Sequence, residues 1–203
     1  MRLRLFLALL AIAACSAGAF ADDFNPPQWR GQDGTTFGQW EFSTADPNPL
    51  PDQFSYPYGM PSTTVTPGVG QNWMEEWETR QGVWPLSGEI IVEIPNRPEP
   101  LPYKEIWIQL TWAQQAPNVW PTVSEQRFSA PATLISEVPL DDVWYHSTYS
   151  IILEPNPDWE SILITGAVNV DEMVIDTICA PEPASLALLT LGAFVMIRRR
   201  SRA

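Results

Sequence analysis

The sequence predicts an all-β domain, a β-sandwich or jelly roll, flanked by an N-terminal signal-peptide helix and a C-terminal membrane helix. Three observations predict it. Apolar residues alternate with period two over several stretches, and between the two ends no segment sustains the i, i+3, i+4, i+7 spacing of an amphipathic helix. Prolines, 21 in 203 residues, punctuate those stretches and are incompatible with helix interiors and central strands. The two ends each have the three-part layout of a targeting segment.

The strands are read in chain order. Gln39–Ser43 is the first, with Trp40 and Phe42 on one side. The Pro-, Gly-, Ser- and Thr-rich stretch from Ala45 to Gly70 is irregular, with at most a short strand near Thr63–Thr66. Glu89–Ile94 is a strand ended by Pro95, and residues 95–102 form an extended proline-rich connector. Ile106, Ile108, Leu110 and Trp112 then point one way, while Trp107, Gln109 and Thr111 point the other. Tyr145, Tyr149, Ile151 and Leu153 share a face opposite Trp144, His146, Thr148 and Ile152. Residues 154–158 read as a short hairpin-like turn leading into Ser161–Thr165, where Ile162 and Ile164 alternate with Ser161, Leu163 and Thr165. The last strand has a phase break. Val168 and Val170 are in register with each other, and so are Met173 and Ile175, one residue off. A β-bulge near Asp171-Glu172 reconciles them, because a bulge adds one residue to one strand.

The N-terminal end starts with Arg2 and Arg4, runs apolar from Leu5 to Ala14, and closes with Ala19-Phe20-Ala21 before Asp22. A basic start, a short apolar run and an A-x-A site are the parts of a secretory signal peptide, so residues 1–21 are expected to leave after Ala21. Ile12-Ala13-Ala14-Cys15 also resembles a bacterial lipobox. On that second reading Cys15 is a lipidated N-terminus.

At the other end Pro181-Glu182-Pro183 precedes an apolar run, 184–197, and then Arg198-Arg199-Arg200. Fourteen helical residues reach about 21 Å, short of a hydrocarbon core of roughly 30 Å. The segment is a marginal span aided by snorkelling arginines. The cationic cluster belongs on the cytoplasmic side, which places the rest of the chain outside. Together the ends resemble those of bacterial PEP-CTERM proteins, whose sorting signal is a Pro-Glu-Pro motif, a short membrane helix and an arginine cluster. The resemblance covers residues 181–203. It implies export through the Sec machinery, transient inner-membrane insertion, processing by an exosortase, and delivery to the cell surface or an exopolysaccharide matrix.

What is delivered is one domain, 22–180. Overall the chain carries 11 basic and 24 acidic residues. That balance excludes a duplex-binding protein, which needs cations to release phosphate counterions. Within 22–180 lie 23 of the acids but five basic residues, Arg30, Arg80, Arg97, Lys104 and Arg127, for a net charge of −18. Such a charge favours solubility and repels anionic partners. All ten tryptophans lie there too. Cys15 leaves with the signal peptide, so Cys179 stands alone and cannot staple the fold. It reads as a small half-buried residue at the end of the last strand, with a free thiol or an intermolecular bridge as the alternatives.

No catalytic residue is assigned. His146 is the single histidine and sits inside a strand, and the G-x-S-x-G, H-E-x-x-H, P-loop and G-x-G-x-x-G patterns are missing. The tryptophans are the feature to explain. Trp40 and Trp112 read as core. Trp73, Trp77, Trp84, Trp120 and Trp159 lie near loops or proline turns, and Trp107 is on the face opposite the core. Aromatic rings on a surface stack on sugar faces, which makes Trp73, Trp77 and Trp107 candidate carbohydrate contacts. The closing strand Val170–Asp176 resembles that of galactose-binding-like jelly rolls, as in carbohydrate-binding modules. Glu75, Glu76 and Glu78 beside Trp73 and Trp77 leave a glycan-active enzyme as a further reading, one that needs two carboxyls about 5 Å apart across a cleft. Asp141, Asp142, Asp171 and Asp176 are candidate oxygen ligands for a structural calcium. The sequence thus describes an exported, non-enzymatic β-sandwich that is structural or interacting, with binding of exopolysaccharide as the alternative.

Overall fold

A computed structural model describes residues 22–98, 101–123, 126–127, 131–157 and 159–180. The described residues are all-β, in thirteen strands. They are β1 (Thr35–Trp40), β2 (Gln53–Ser55), β3 (Ser62–Thr66), β4 (Met74–Trp77), β5 (Arg80–Leu86), β6 (Glu89–Pro95), β7 (Tyr103–Gln114), β8 (Asn118–Val123), β9 (Gln126–Arg127), β10 (Thr133–Pro139), β11 (Trp144–Leu153), β12 (Trp159–Thr165) and β13 (Val168–Ala180). One sheet runs β10-β11-β7-β13-β1-β2, and the β4–β5 hairpin joins it where β5 pairs with β13. The second sheet runs β3-β6-β12-β8-β9. The strand pairs among the described residues are antiparallel.

The two sheets close as a sandwich over one apolar layer. From the first sheet come Trp40, Ile106, Ile108, Leu110, Trp112, Ile151 and Ile175. Val65, Ile90, Val92, Ile94, Val119, Ile162 and Ile164 come from the second. The alternation read on β7, β11 and β12 is the alternation that builds this layer. Each such fully buried side chain is worth about 1.5–3 kcal/mol of transfer free energy, so the core holds without a disulfide. Two buried indole N–H groups are met inside the fold, whereas those of Trp84 and Trp144 have no hydrogen-bond partner among the described residues. Trp112 Nε1 donates to Ser147 Oγ at 2.9 Å and Trp40 Nε1 to the Pro49 carbonyl at 3.3 Å.

The bulge lies at the predicted place. Val170 pairs with Trp112 and Glu172 with Thr111, so Asp171 is the extra residue. Three expectations are corrected. Residues 154–158 do not close a hairpin: β11 pairs with β7 and β10, while β12 pairs with β6 and β8. The proline-rich turn carries the chain from one sheet to the other. The first strand spans Thr35–Trp40 and not Gln39–Ser43, because Phe42 adopts a positive φ of 47° and leaves the ladder while its ring stays in the core. Residues 45–70 hold two short strands, β2 and β3, where one was expected.

The expected signal peptide (1–21) and membrane helix (184–197) lie outside the described residues. Among the described residues no helix is long and apolar enough to cross a membrane.

Candidate functional site

The outer face of the first sheet, turned away from the sandwich interior, is where polar and charged groups concentrate. Glu105, Trp107, Gln109 and Thr111 project there from β7, opposite the core-facing Ile106, Ile108 and Leu110. Yet Gln109 and Thr111 are each 1% exposed. The cover is the chain from Asp22 onward. Asn25 N–H donates to Gln109 Oε1 at 2.8 Å, and Asn25 Nδ2 donates to Ser136 Oγ (2.8 Å) and Thr148 Oγ1 (3.0 Å). Gln109 Nε2 donates to Asp23 Oδ1 at 2.6 Å, and Thr111 Oγ1 to Asp22 Oδ2 at 3.2 Å. Phe24 meets the His146 ring edge-on, centroids 4.8 Å apart.

At one end of this strap the bulge creates a charged cluster. A bulge re-aims side chains, and here two successive carboxylates reach the same cation. Arg80, at the start of β5, lies 3.1 Å from Asp171, 3.9 Å from Glu172 and 2.7 Å from Asp22. The carboxylates of Asp22, Asp171 and Glu172 fall within 4.8 Å of one another. Three acids share one guanidinium. Burial pushes the Asp171 carboxyl up to about 7, against the downward pull of Arg80. Burial likewise pushes Glu172 up to about 8, with the neighbouring Asp171 and Asp22 charges adding to it. A second cluster sits further along the face. Arg30 bridges Asp23 and Asp176 and lies 4.4 Å above the Phe37 ring. Asp176 is fully buried, and burial raises its carboxyl to about 6 despite the hydrogen bonds from Arg30.

Beside the Arg80 cluster opens a cleft of about 520 Å³, lined by Glu41, Trp73, Glu75, Arg80, Asp171 and Glu172 among others. Gly82 forms part of its wall at φ +78°, with the Phe42 and Glu41 carbonyls so near that a Cβ would meet them at 2.7 and 2.9 Å. Of the three candidate sugar-contacting tryptophans, this cleft takes Trp73. Its ring packs against the main core and its Nε1 donates to the Phe42 carbonyl at 2.9 Å. Trp77 packs elsewhere, edge-on to Trp144 at 5.3 Å, in a small satellite core with Val83 and Ala113. Trp107 lies half-buried on the outer face of β7, its Nε1 held by Glu105 at 2.7 Å. The three rings therefore occupy three settings and not one platform. Trp84, expected near a loop, is 3% exposed in the core.

The remaining sequence candidates are engaged in the scaffold. His146 is 1% exposed, with Nδ1 at 3.1 Å from Thr111 Oγ1 and Nε2 at 3.2 Å from Gln109 Oε1. Burial lowers its pKa. Glu75, Glu76 and Glu78 are exposed on and after β4. Cys179 is fully buried where half-burial was expected, and its Sγ donates to Asn96 Oδ1 at 2.8 Å. The same oxygen accepts from Lys104 Nζ at 3.1 Å, and Lys104 forms an ion pair with Glu160 that ties β7 to β12 inside the sandwich.

The four aspartates considered for calcium are not brought together. Asp141 accepts from the Val143 and Trp144 amides at 2.7 Å, Asp176 is held by Arg30, Asp142 is exposed, and Asp171 groups with Asp22 and Glu172. A calcium ion takes six to eight oxygens. The guanidinium already seated among those three carboxylates does not fit such a shell.

Sequence reasoning passed over Arg80, Asp22 and Glu172 as a group. The signals were present as the phase break at 171–172 and as the position of Asp22 directly after Ala19-Phe20-Ala21. The sorting residues Pro181, Glu182, Pro183, Arg198, Arg199 and Arg200, and the cleavage-site residues Ala19 and Ala21, lie outside the described residues.

Comparison with known families finds the PEP-CTERM protein-sorting motif at residues 180–201. No curated protein matches the chain. The chain therefore carries a sorting signal of this kind, which implies export, membrane anchoring before cleavage, and processing by an exosortase.

Proposed function

We propose that this is an exported, exosortase-sorted protein of the cell surface or extracellular matrix, and that its β-sandwich is a non-catalytic structural or interaction module. The observation that carries the reading is the sorting motif at 180–201. It fits a leader with an A-x-A site ahead of Asp22 and a delivered domain of net charge −18. Support for a non-catalytic role comes from the way ionisable groups are used. The one histidine is buried between Thr111 and Gln109, and the acids with raised pKa are held by Arg80, Arg30 and Lys104 in the scaffold. The test is replacement of Arg198, Arg199 and Arg200 by alanine. Loss of C-terminal processing and of surface location is expected. Unaltered processing and location would overturn the reading.

A second reading, binding of exopolysaccharide, draws on the cleft beside Trp73. An aromatic wall, a guanidinium and carboxylates in a cleft of about 520 Å³ match the chemistry of a sugar unit, which offers apolar C–H faces and hydroxyls. A glycan array probed with the exported chain should give signals that Trp73→Ala removes without unfolding the protein. A silent array would remove this reading, and signals lost on Trp107→Ala or Trp77→Ala instead would relocate it. Polysaccharide turnover abolished by Glu76→Gln would favour the enzyme reading over both.

A further inference from the structure

We propose that the carboxylates of Asp171 and Glu172 form a seat for a primary ammonium group, and that the group they take is the chain's own α-amine at Asp22, created when the leader is removed. The inference rests on cleavage after Ala21.

The nitrogen is already in place. The backbone N–H of Asp22 donates to the Glu172 carboxylate. It is held there by the residues that follow it: Asp22 Oδ2 accepts from Thr111 and pairs with Arg80, Asp23 accepts from Gln109 and Arg30, and Asn25 is tied to Gln109, Ser136 and Thr148. These contacts span four strands, β5, β7, β10 and β11, as well as the bulge of β13. The position of the nitrogen is set by the fold and does not depend on its charge.

The charge balance says what is missing. Asp22, Asp171 and Glu172 bring three carboxyl groups within 4.8 Å, three negative charges once all are ionised, and Glu41 faces Asp171 from the cleft wall as a further acid. Arg80 is the cation among them. Buried carboxylates without enough positive charge are costly. While residue 21 is attached, Asp22 N is an amide with one hydrogen and no charge. Hydrolysis of the Ala21–Asp22 bond by a signal peptidase puts the hydroxyl of water on the Ala21 carbonyl and a proton on the Asp22 nitrogen. That amine takes up a further proton, since an α-amine has a pKa of about 8. The same nitrogen is then a cation with three donors beside Glu172 and Asp171, and hydrogen bonds between ions are the strong ones. Removal of the leader thus supplies the counter-ion that the bulge lacks. The strap over the outer face gains this ion pair only in the processed chain.

The experiment uses the full chain, exported by a Gram-negative host and extracted with detergent. A variant with two glycines inserted between Ala21 and Asp22 keeps Ala19-Phe20-Ala21 but moves the new amine away, leaving an amide at Asp22. Intact mass reports the N-terminus. An N-hydroxysuccinimide acetate ester reports amine access, and the reading is simple because Lys104 is the one lysine of the sequence. The wild type should start at Asp22. Each unit by which ion pairing raises the amine pKa lowers the reactive fraction about tenfold, so its α-amine should acetylate at least about tenfold more slowly than that of the insertion variant. Its thermal midpoint should be higher by about 4 °C, as the loss of one charge-assisted bond gives in a chain of this size. Glu172→Gln should speed acetylation in the wild-type background and change nothing in the insertion background. Equal rates and midpoints in chains that both start where expected would overturn the seat. A wild-type mass that does not begin at Asp22 would overturn the cleavage on which it rests.

Discussion

Replacing Arg80 by methionine removes the cation of the bulge cluster and keeps most of the side-chain volume. Its guanidinium stands 2.7 Å from Asp22, 3.1 Å from Asp171 and 3.9 Å from Glu172. The partner side chains are nearly closed to water, 16%, 3% and 11% exposed respectively. Breaking a buried pair by removing one partner costs about 3–5 kcal/mol. The face of the Trp144 ring, 5.9 Å from the guanidinium, loses a contact worth about 0.5 kcal/mol. Because Arg80 itself is partly wet, the lower end applies, about 3 kcal/mol at pH 8. At pH 5.5 the loss should shrink to about 1 kcal/mol. The sign follows from the carboxylates. Burial holds Asp171 at about 7 and Glu172 at about 8, above their ordinary values, so the native state binds their protons more tightly than the unfolded chain. Their contribution to stability therefore falls as pH rises from about 4 to about 8, and falls more steeply without Arg80. Urea unfolding followed by tryptophan fluorescence at both pH values measures it. The two-glycine insertion is the right background, since there the nitrogen of Asp22 stays an amide. A loss below about 1 kcal/mol at pH 8, or an equal loss at the two pH values, would refute the reasoning.

Three further outcomes follow from the geometry. Gly82→Ala should destabilise by at least about 2 kcal/mol in urea titration, since a left-handed φ costs about 1–2 kcal/mol for a non-glycine residue and the new Cβ meets the Phe42 and Glu41 carbonyls below 3.0 Å. Glu160→Gln should cost about 3 kcal/mol by stranding Lys104 inside the sandwich, whereas the double replacement Lys104→Met with Glu160→Leu should recover most of that loss. His146 should give a single imidazole proton signal in NMR that titrates below the ordinary histidine value, because burial disfavours its cation. Its share of stability is therefore lost as pH falls from about 6.5 towards that lowered value.

Period-two alternation made β7, β11 and β12 legible because each has one face in the core and one outside it. The phase break in β13 was legible for the same reason: Val168, Val170, Met173 and Ile175 all face the core, and one extra residue is the way to keep them there. Other elements carry no such signal. β4 is acidic and largely exposed, and β5 contains Gly82 and Pro85. β8 contains Pro121, a residue that argues against a central strand and so hides the element in the sequence. β10 is an exposed edge with Leu134, Ile135 and Val138 each about half exposed. The turn at 154–158 was misread because proline marks a reversal without saying which sheet receives the next strand. Asp171 stood out in the sequence as an acid, but its link to Arg80, 91 residues away, and to Asp22 depends on pairings that no local pattern encodes. Trp73, Trp77 and Trp107 looked alike as surface aromatics, and sheet packing alone sends each to a different setting.

The central claim is delivery of this β-sandwich by C-terminal sorting. The measurement that tests it most directly is the intact mass of the protein recovered from the cell surface or matrix of a host that has an exosortase, beside the same host without it. The account predicts a surface form that begins at Asp22 and has lost the arginine-bearing C-terminal segment, with the unprocessed chain held at the membrane when the exosortase is missing. A surface form that retains Arg198–Arg200, or identical masses and locations in the two hosts, would contradict it.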